Sequence, residues 1–528
     1  MGGRPVADLS SSTRSAVARI DTSAEVPGGR PGPVLTPPLL CTHGCDGCAG
    51  PGVAPVGAEQ RGRDRDTVRR CRDRSRQPYP RPLWVEPGVV DGFRVVVVGA
   101  GFSGLAAALA LDRAGADVRV LEARDRVGGR VLTRWLPDGT QLDLGAQWIG
   151  PTQDRMYALI AEHGLTTFAS AAVGVPTLLW AGRRRAEPPA QAARVLALLD
   201  EYAARLDPAA PWQAPEAARW DRTTLGAWLD TTAGDGDTAA YLGRLLAGGL
   251  LATGADEVSL LHLLFYLRSA GGTGPLLGMA GGAQQDRIVG GPPLLAERMA
   301  AALPPGALSL ATPVRTIEQS VDGVTVCTDT GRVDGDAVVV AVAPALAGRI
   351  RYDPPLPALR DGLTQRMPMG SALKVHAVYP EPFWRADDIS GVATSSAGPL
   401  TETVDNSTPG SPLGVLSGFS YSSDAAALRE MPPERRRRCL LDAFSAVIGP
   451  RATDPMDLVE YDWSADPWTR GCFGGALTPG AWRTYGPSLR APVGRVHWAG
   501  TETATRWNGY LEGAVRAGER AASEVLTR

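Results

Sequence analysis

Three glycines and an acid carry the first chemistry that the chain's spacing suggests. Gly99-Ala-Gly101-Phe-Ser-Gly104 follows directly on Phe93-Arg-Val-Val-Val-Val98 and opens the Ala/Leu-rich stretch Leu105–Ala114. Glycine at 99 permits a tight turn, at 101 lets backbone approach a pyrophosphate, and at 104 lets a helix pack closely on a strand. A helix starting there offers free N–H groups and the positive end of its dipole to phosphates. Glu122 ends the next apolar run, Asp117–Leu121, 18 residues beyond Gly104, where a carboxylate accepts from ribose hydroxyls. A second glycine turn, Arg124-Asp-Arg-Val-Gly128-Gly129-Arg130, adds guanidinium charge for a diphosphate.

The elements that must position these residues are a strand, a helix and a second strand. The continuous β-branched run Phe93–Val98 reads as a buried parallel strand. Ala337–Pro344 reads as another apolar strand, ending in a proline turn, and 185–270 as helical, with Ala190–Leu206 amphipathic. A chain of 528 residues has room for two to four domains at roughly 100–200 residues each. Residues 1–92 are rich in Pro, Gly, Ser and Arg without a sustained apolar period and are predicted to be disordered. They hold Cys41, His43, Cys45 and Cys48, a metal-compatible spacing with no ordered frame around it; no metal is expected.

With 54 basic and 56 acidic residues, the charge gives no general surface for nucleic acid or an anionic membrane. Apolar runs such as Leu260–Leu267 are far shorter than the roughly 18–20 residues of a membrane span. With no signal-peptide pattern, a cytoplasmic location is expected. One count is odd: Lys374 is the only lysine, and Asn406 and Asn508 are the only asparagines. Codon bias toward arginine explains the scarcity of lysine but not the position of the one that remains. Asn406-Ser-Thr also matches a glycosylation acceptor, although nothing suggests export.

Beyond Glu122 the motifs resemble those of the flavin-containing monoamine oxidases, in order, over residues 93–528. The matching segments are Asp143-Leu-Gly-Ala-Gln147-Trp148, Asp286-Arg-Ile-Val-Gly290-Gly291, Pro313-Val314-Arg315, Pro368-Met-Gly-Ser-Ala-Leu-Lys374, Arg470-Gly-Cys472-Phe473, Trp498-Ala-Gly-Thr-Glu502-Thr503 and Trp507-Asn-Gly-Tyr510. The resemblance implies an α/β, two-domain fold with FAD as cofactor. A discontinuous, glutathione-reductase-type Rossmann FAD-binding domain would comprise 93–172, 287–363 and 466–528. A mixed-sheet and helical substrate domain would comprise 173–286 and 364–465.

The resemblance also assigns roles. Gly99, Gly101, Gly104, Glu122, Arg124, Gly129, Arg130, Gln147, Trp148, Val314, Cys472, Glu502 and Tyr510 would bind the cofactor, Val314 through its backbone to adenine. Phe473 and Tyr510 would form an aromatic cage for the amine; the family more often has Tyr at the first position. Cys472 stands where some members form a thioether to the flavin, and the position favours attachment. Lys374 matches the lysine that holds a water near flavin N5, where desolvation lowers its pKa. His163, His262, His376 and His497 are expected to be structural.

The implied reaction is oxidative deamination: hydride passes from the amine α-carbon to N5, the imine hydrolyses to aldehyde and ammonia, and oxygen takes the electrons to give hydrogen peroxide. Gln147 and Trp148 follow Gly145-Ala146 where amino-acid oxidases place an arginine, which disfavours an amino-acid substrate. A diamine would want a carboxylate deep in the pocket, and the sequence alone does not place one. A primary monoamine, aromatic or aliphatic, is therefore expected first. A putrescine or polyamine oxidase comes next, then a flavin desaturase, and last a non-catalytic flavoprotein. The expected partners are the small amine and oxygen, with no nucleic acid or membrane; a homodimer is compatible.

Overall fold

Val95, Val96, Val97 and Val98 are all buried, and their alternation divides two layers. They belong to Arg94–Val98, the central strand of a five-stranded parallel sheet. Its order is Leu308–Ser309, Asp117–Leu121, Arg94–Val98, Ala337–Val340, Val496–Trp498. Val95 and Val97 face helices Phe102–Arg113 and Leu511–Leu526. Val96 and Val98 face a four-stranded sheet that contributes Ile317, Val324 and Val326. A strand covered on both faces needs apolar side chains at every position, which explains the unbroken valine run. The structure, a computed structural model, describes residues 92–171, 173–180, 183–185 and 187–527. These lie within one unit, Pro78–Arg528. The disorder expected of residues 1–92 and the cluster Cys41, His43, Cys45, Cys48 fall outside the described residues, except Gly92.

Two glycines set how closely the helices approach. A Cβ on Gly104 would lie 1.8 Å from the Gly99 carbonyl oxygen, and one on Gly518 would lie 2.0 Å from that of Ser103. Neither position accommodates a side chain without moving backbone.

A second, seven-stranded sheet runs in the order Asp457–Asp462, Ala372–Tyr379, Gly414–Tyr421, Glu402–Asp405, Ile389–Ser395, Val175–Trp180, Arg183–Arg185. All eight residues of Ala372–Tyr379 are buried. One face carries Leu373, Val375 and Ala377 into a core shared with Leu440 and Phe444 of helix Pro433–Ile448. The register pairs Lys374 with Phe419 and Phe419 with Glu402, so the three form one cross-strand row. Paired residues share a face, and this is the face that the cavity described below uses.

The helical layer expected over 185–270 comprises Ala192–Ala204, Ala217–Arg222, Leu225–Thr232, Gly236–Gly243 and Leu260–Ala270, with a π-turn at Arg244–Gly249. Helix Ala192–Ala204 buries Ala192, Val195, Leu199 and Ala203, the amphipathic stripe read from the sequence. The fold is mixed α/β. Among the described residues no helix is long and apolar enough to cross a membrane.

Candidate active site

One cavity of about 560 Å³ runs from the end of the parallel sheet to the Lys374 face of the second sheet. Gly99, Gly101, Glu122, Arg124, Gly129 and Arg130 line it at one end. Gln147, Trp148, Lys374, Cys472, Phe473 and Tyr510 line the other, and Val314 also reaches it. Residues more than 350 positions apart in the chain thus share one wall.

The two glycine turns lie against each other. Gly101 and Gly128 form a bridge, and the Gly128 N–H donates to Ala100 O at 2.8 Å. A Cβ on Gly129 would lie 3.3 Å from Gly101 Cα. This leaves a strip of bare backbone at the start of helix Phe102–Arg113. Glu122 is buried; its carboxylate accepts from the Ala100 N–H at 2.7 Å and the Arg124 N–H at 2.9 Å. Carboxylate oxygens retain lone pairs for ribose hydroxyls after one such bond each.

Several expected contacts differ in kind. Arg124 is tied to Asp466 at 2.7 Å and to Thr469, and Arg130 is tied to Glu502 at 2.7 Å and to Phe473 O at 2.6 Å. Both arginines reach the cavity with their charge already shared. Glu502 does not line it: fully buried, it turns to Arg130 and the Gly475 N–H. Gly104 also lies behind the wall, where its work is helix packing. Asn406 is buried, so it offers no site for a glycan.

The other end is aromatic. Phe473 meets Tyr421 edge-on at 5.6 Å, Phe419 stacks on Tyr421 at 6.3 Å, and Trp148 lies 5.9 Å from Phe419. Tyr510 sits 6.1 Å from Tyr266 and 5.0 Å from Trp507. Phe473 has φ +58°, an uncommon backbone for a bulky residue, held by the Arg130 bond to its carbonyl. Tyr510 caps helix Leu511–Leu526, and its carbonyl accepts from the Thr501 hydroxyl at 2.8 Å.

Lys374 donates to Gly145 O at 3.1 Å and to the Gln147 side-chain carbonyl, with Nζ 5.3 Å from the Phe419 ring centre. Burial pushes its pKa down to about 7. Burial also pushes the Cys472 thiol up to about 12. His376 and His262 have interior partners: Ser417 and Asp143 O for the first, Leu477 N–H and Trp482 for the second.

Sequence reasoning missed Glu402. It lines the cavity, is bonded by the Tyr421 hydroxyl at 3.0 Å, and burial raises its pKa to about 7. A Cβ on Gly249 would lie 2.6 Å from its Oε1, so this glycine leaves the carboxylate its space. The alternation Phe419-Ser-Tyr421 puts two aromatics on one strand face, but no local motif marks Glu402.

The profile of the flavin-containing amine oxidoreductases matches residues 102–526. The chain belongs to that family. It is an FAD-dependent amine oxidase, an oxidoreductase. A profile of pyridine nucleotide-disulphide oxidoreductases also matches 47–140. A Mycobacterium tuberculosis protein bearing the name flavin-containing monoamine oxidase AofH is 42% identical over 83% of this chain and 97% of its own. Putrescine oxidase of Kocuria rosea is 37% identical over 82% of this chain and 95% of its own. A structure of putrescine oxidase bound to putrescine superposes with TM-score 0.79 at 34% identity, covering 83% of this chain and 99% of that one. For this amine oxidase, the bare glycine strip, the helix N-terminus and the buried Glu122 form a donor and acceptor set that fits an FAD diphosphate and ribose.

Proposed function

We propose that this amine oxidase deaminates a primary amine bearing a second cationic end, a short diamine of the putrescine class. Glu402 carries the reading: a half-buried carboxylate on the aromatic half of the cavity matches a distal ammonium. The missing carboxylate was the reason to expect a monoamine first. A primary monoamine is the second reading, favoured by the apolar flank of Leu245, Leu250, Leu276 and Leu277; it leaves Glu402 without a ligand.

The domain assignment we adopt is a glutathione-reductase-type FAD-binding part, 93–172, 287–363 and 466–528, with 173–286 and 364–465 around the substrate. The parallel sheet and its glycine turns support the first part. Gly99, Gly101, Glu122, Arg124, Gly129, Arg130, Val314, Gln147 and Trp148 hold FAD, with Gly104 and Glu502 acting from behind the wall. FAD, when bound, supplies a ring that accepts hydride from the amine α-carbon and passes two electrons to oxygen.

The side chains do the rest. Phe473 and Tyr510 present ring faces and edges that orient the amine and exclude water. The N-terminus of helix Leu511–Leu526 offers partial positive charge for the reduced cofactor. Lys374, a point donor near neutrality, holds a water or a proton at Nζ beside Gln147. Arginine's planar fork would not substitute. Cys472, in the cavity wall, would form the thioether to the flavin.

Peroxide release measured with tyramine, phenethylamine, benzylamine, putrescine and spermidine tests the assignment. Putrescine is expected to have the highest kcat/KM. A preference for phenethylamine or benzylamine moves the reading to the monoamine, and no peroxide with any amine overturns it.

A further inference from the structure

A buried polar chain behind the cavity reaches beyond the groups that touch substrate or cofactor. Lys374 Nζ donates to the side-chain carbonyl of Gln147, and Gln147 Nε2 donates to Asn406 Oδ1 at 2.7 Å. All three side chains are buried. An ammonium has donors only, and a primary amide has one accepting and one donating end. Gln147 must therefore turn its carbonyl to Lys374 and its NH₂ inward, where that NH₂ needs an acceptor. Asn406 Oδ1 is that acceptor. Reversing the amide would set N–H groups against Nζ.

Asn406 is itself held. It follows strand Glu402–Asp405, its N–H donates to Val415 O at 2.7 Å, and its carbonyl accepts from Arg287 at 2.9 Å. Its Nδ2 has no hydrogen-bond partner among the described residues. A buried amide left half satisfied is costly, so packing alone does not account for asparagine here. The contact to Gln147 does.

We propose that Asn406 is a positioning residue that locks the Gln147 amide and thereby fixes the Lys374 side chain at the cavity wall. This rests on the reading of Lys374 as a cofactor-facing group. The ionisable groups facing Lys374 are Asp143, Arg287, His376 and Cys472; of these Arg287 meets Asn406, through the backbone carbonyl that a side-chain substitution retains.

Because Lys374 is the chain's only lysine, lysine enriched in ¹³C at the ε-carbon gives one side-chain signal in the holoenzyme. Its pH midpoint reads the ionisation of Lys374 directly, without substrate. Asn406→Leu is expected to lower the midpoint by about one pH unit, because the acceptor of the charged form is no longer held. Gln147→Leu is expected to lower it at least as far, and the double variant no further than Gln147→Leu alone. An unchanged midpoint in Asn406→Leu, or additive shifts in the double variant, overturns the proposal. Asn406→Val is read the same way where the leucine variant does not fold. The midpoint is independent of turnover, so a failure of the amine-oxidase reading and a failure of this proposal are separately visible.

Discussion

Lys374 and Glu402 stand on one cross-strand row, each paired with Phe419 between them. Two strand spacings separate their backbones, about 10 Å. Burial moves the two groups toward each other in pKa, the lysine down to about 7 and the carboxyl up to about 7. A cavity wall with a weak base at one position and a weak acid two strands away changes its charge near neutrality.

Glu402→Gln is expected to raise KM for putrescine by roughly 10–100-fold, the loss of one charge-assisted hydrogen bond, with little change for benzylamine. Burial raises the pKa of Glu402 above its unfolded value, so it ionises only as pH passes about 7. Putrescine KM should therefore fall between pH 6 and 8 in the wild type relative to the variant. Steady-state peroxide assays across that range check both points; parallel profiles refute the role.

Lys374→Met is expected to slow flavin reoxidation by roughly tenfold or more while leaving flavin reduction much less affected. Stopped-flow absorbance separates the two half-reactions, and equal reoxidation rates refute the assignment. Stability should report the same group. With a folded pKa near 7, below the ordinary lysine value, the unfolded chain binds more protons between about pH 7 and 10. Wild-type stability should gain from this group as pH rises through that window. Denaturant melts of Lys374→Met should lack that contribution.

Gly518→Ala should destabilise the protein by about 2 kcal/mol, since its Cβ would meet the Ser103 carbonyl at the start of the helix beside the glycine turns. Thermal melts measure the loss. Weaker retention of FAD on gel filtration is expected alongside it, because Ser103 also lines the cavity.

Acid precipitation should leave yellow colour in the wild-type pellet and none in the Cys472→Ala pellet. A colourless wild-type pellet rules out the thioether. Because burial holds the thiol near 12, loading of apoprotein with FAD should yield more coloured pellet at pH 9 than at pH 7.

The dinucleotide turn was legible in the sequence because its parts are local. Gly99, Gly101, Gly104 and Glu122 act within one strand–helix–strand unit, and each glycine answers a constraint set by its near neighbours. Lys374, Phe473 and Tyr510 were legible from motif resemblance, and the lone lysine from composition. Glu402 and Asn406 were not. Their neighbours are Tyr421, Phe419 and Gln147, and no short-range spacing links Asn406 to a residue 259 positions earlier. The register of Ala372–Tyr379, Gly414–Tyr421 and Glu402–Asp405 decides that Lys374, Phe419 and Glu402 share a face. A slip of one residue would turn each side chain to the opposite face. The sequence by itself determined a flavin-binding frame and its lysine. Tertiary packing decided which carboxylate enters the cavity and which amide holds the lysine, because strand register and burial, not local spacing, set both.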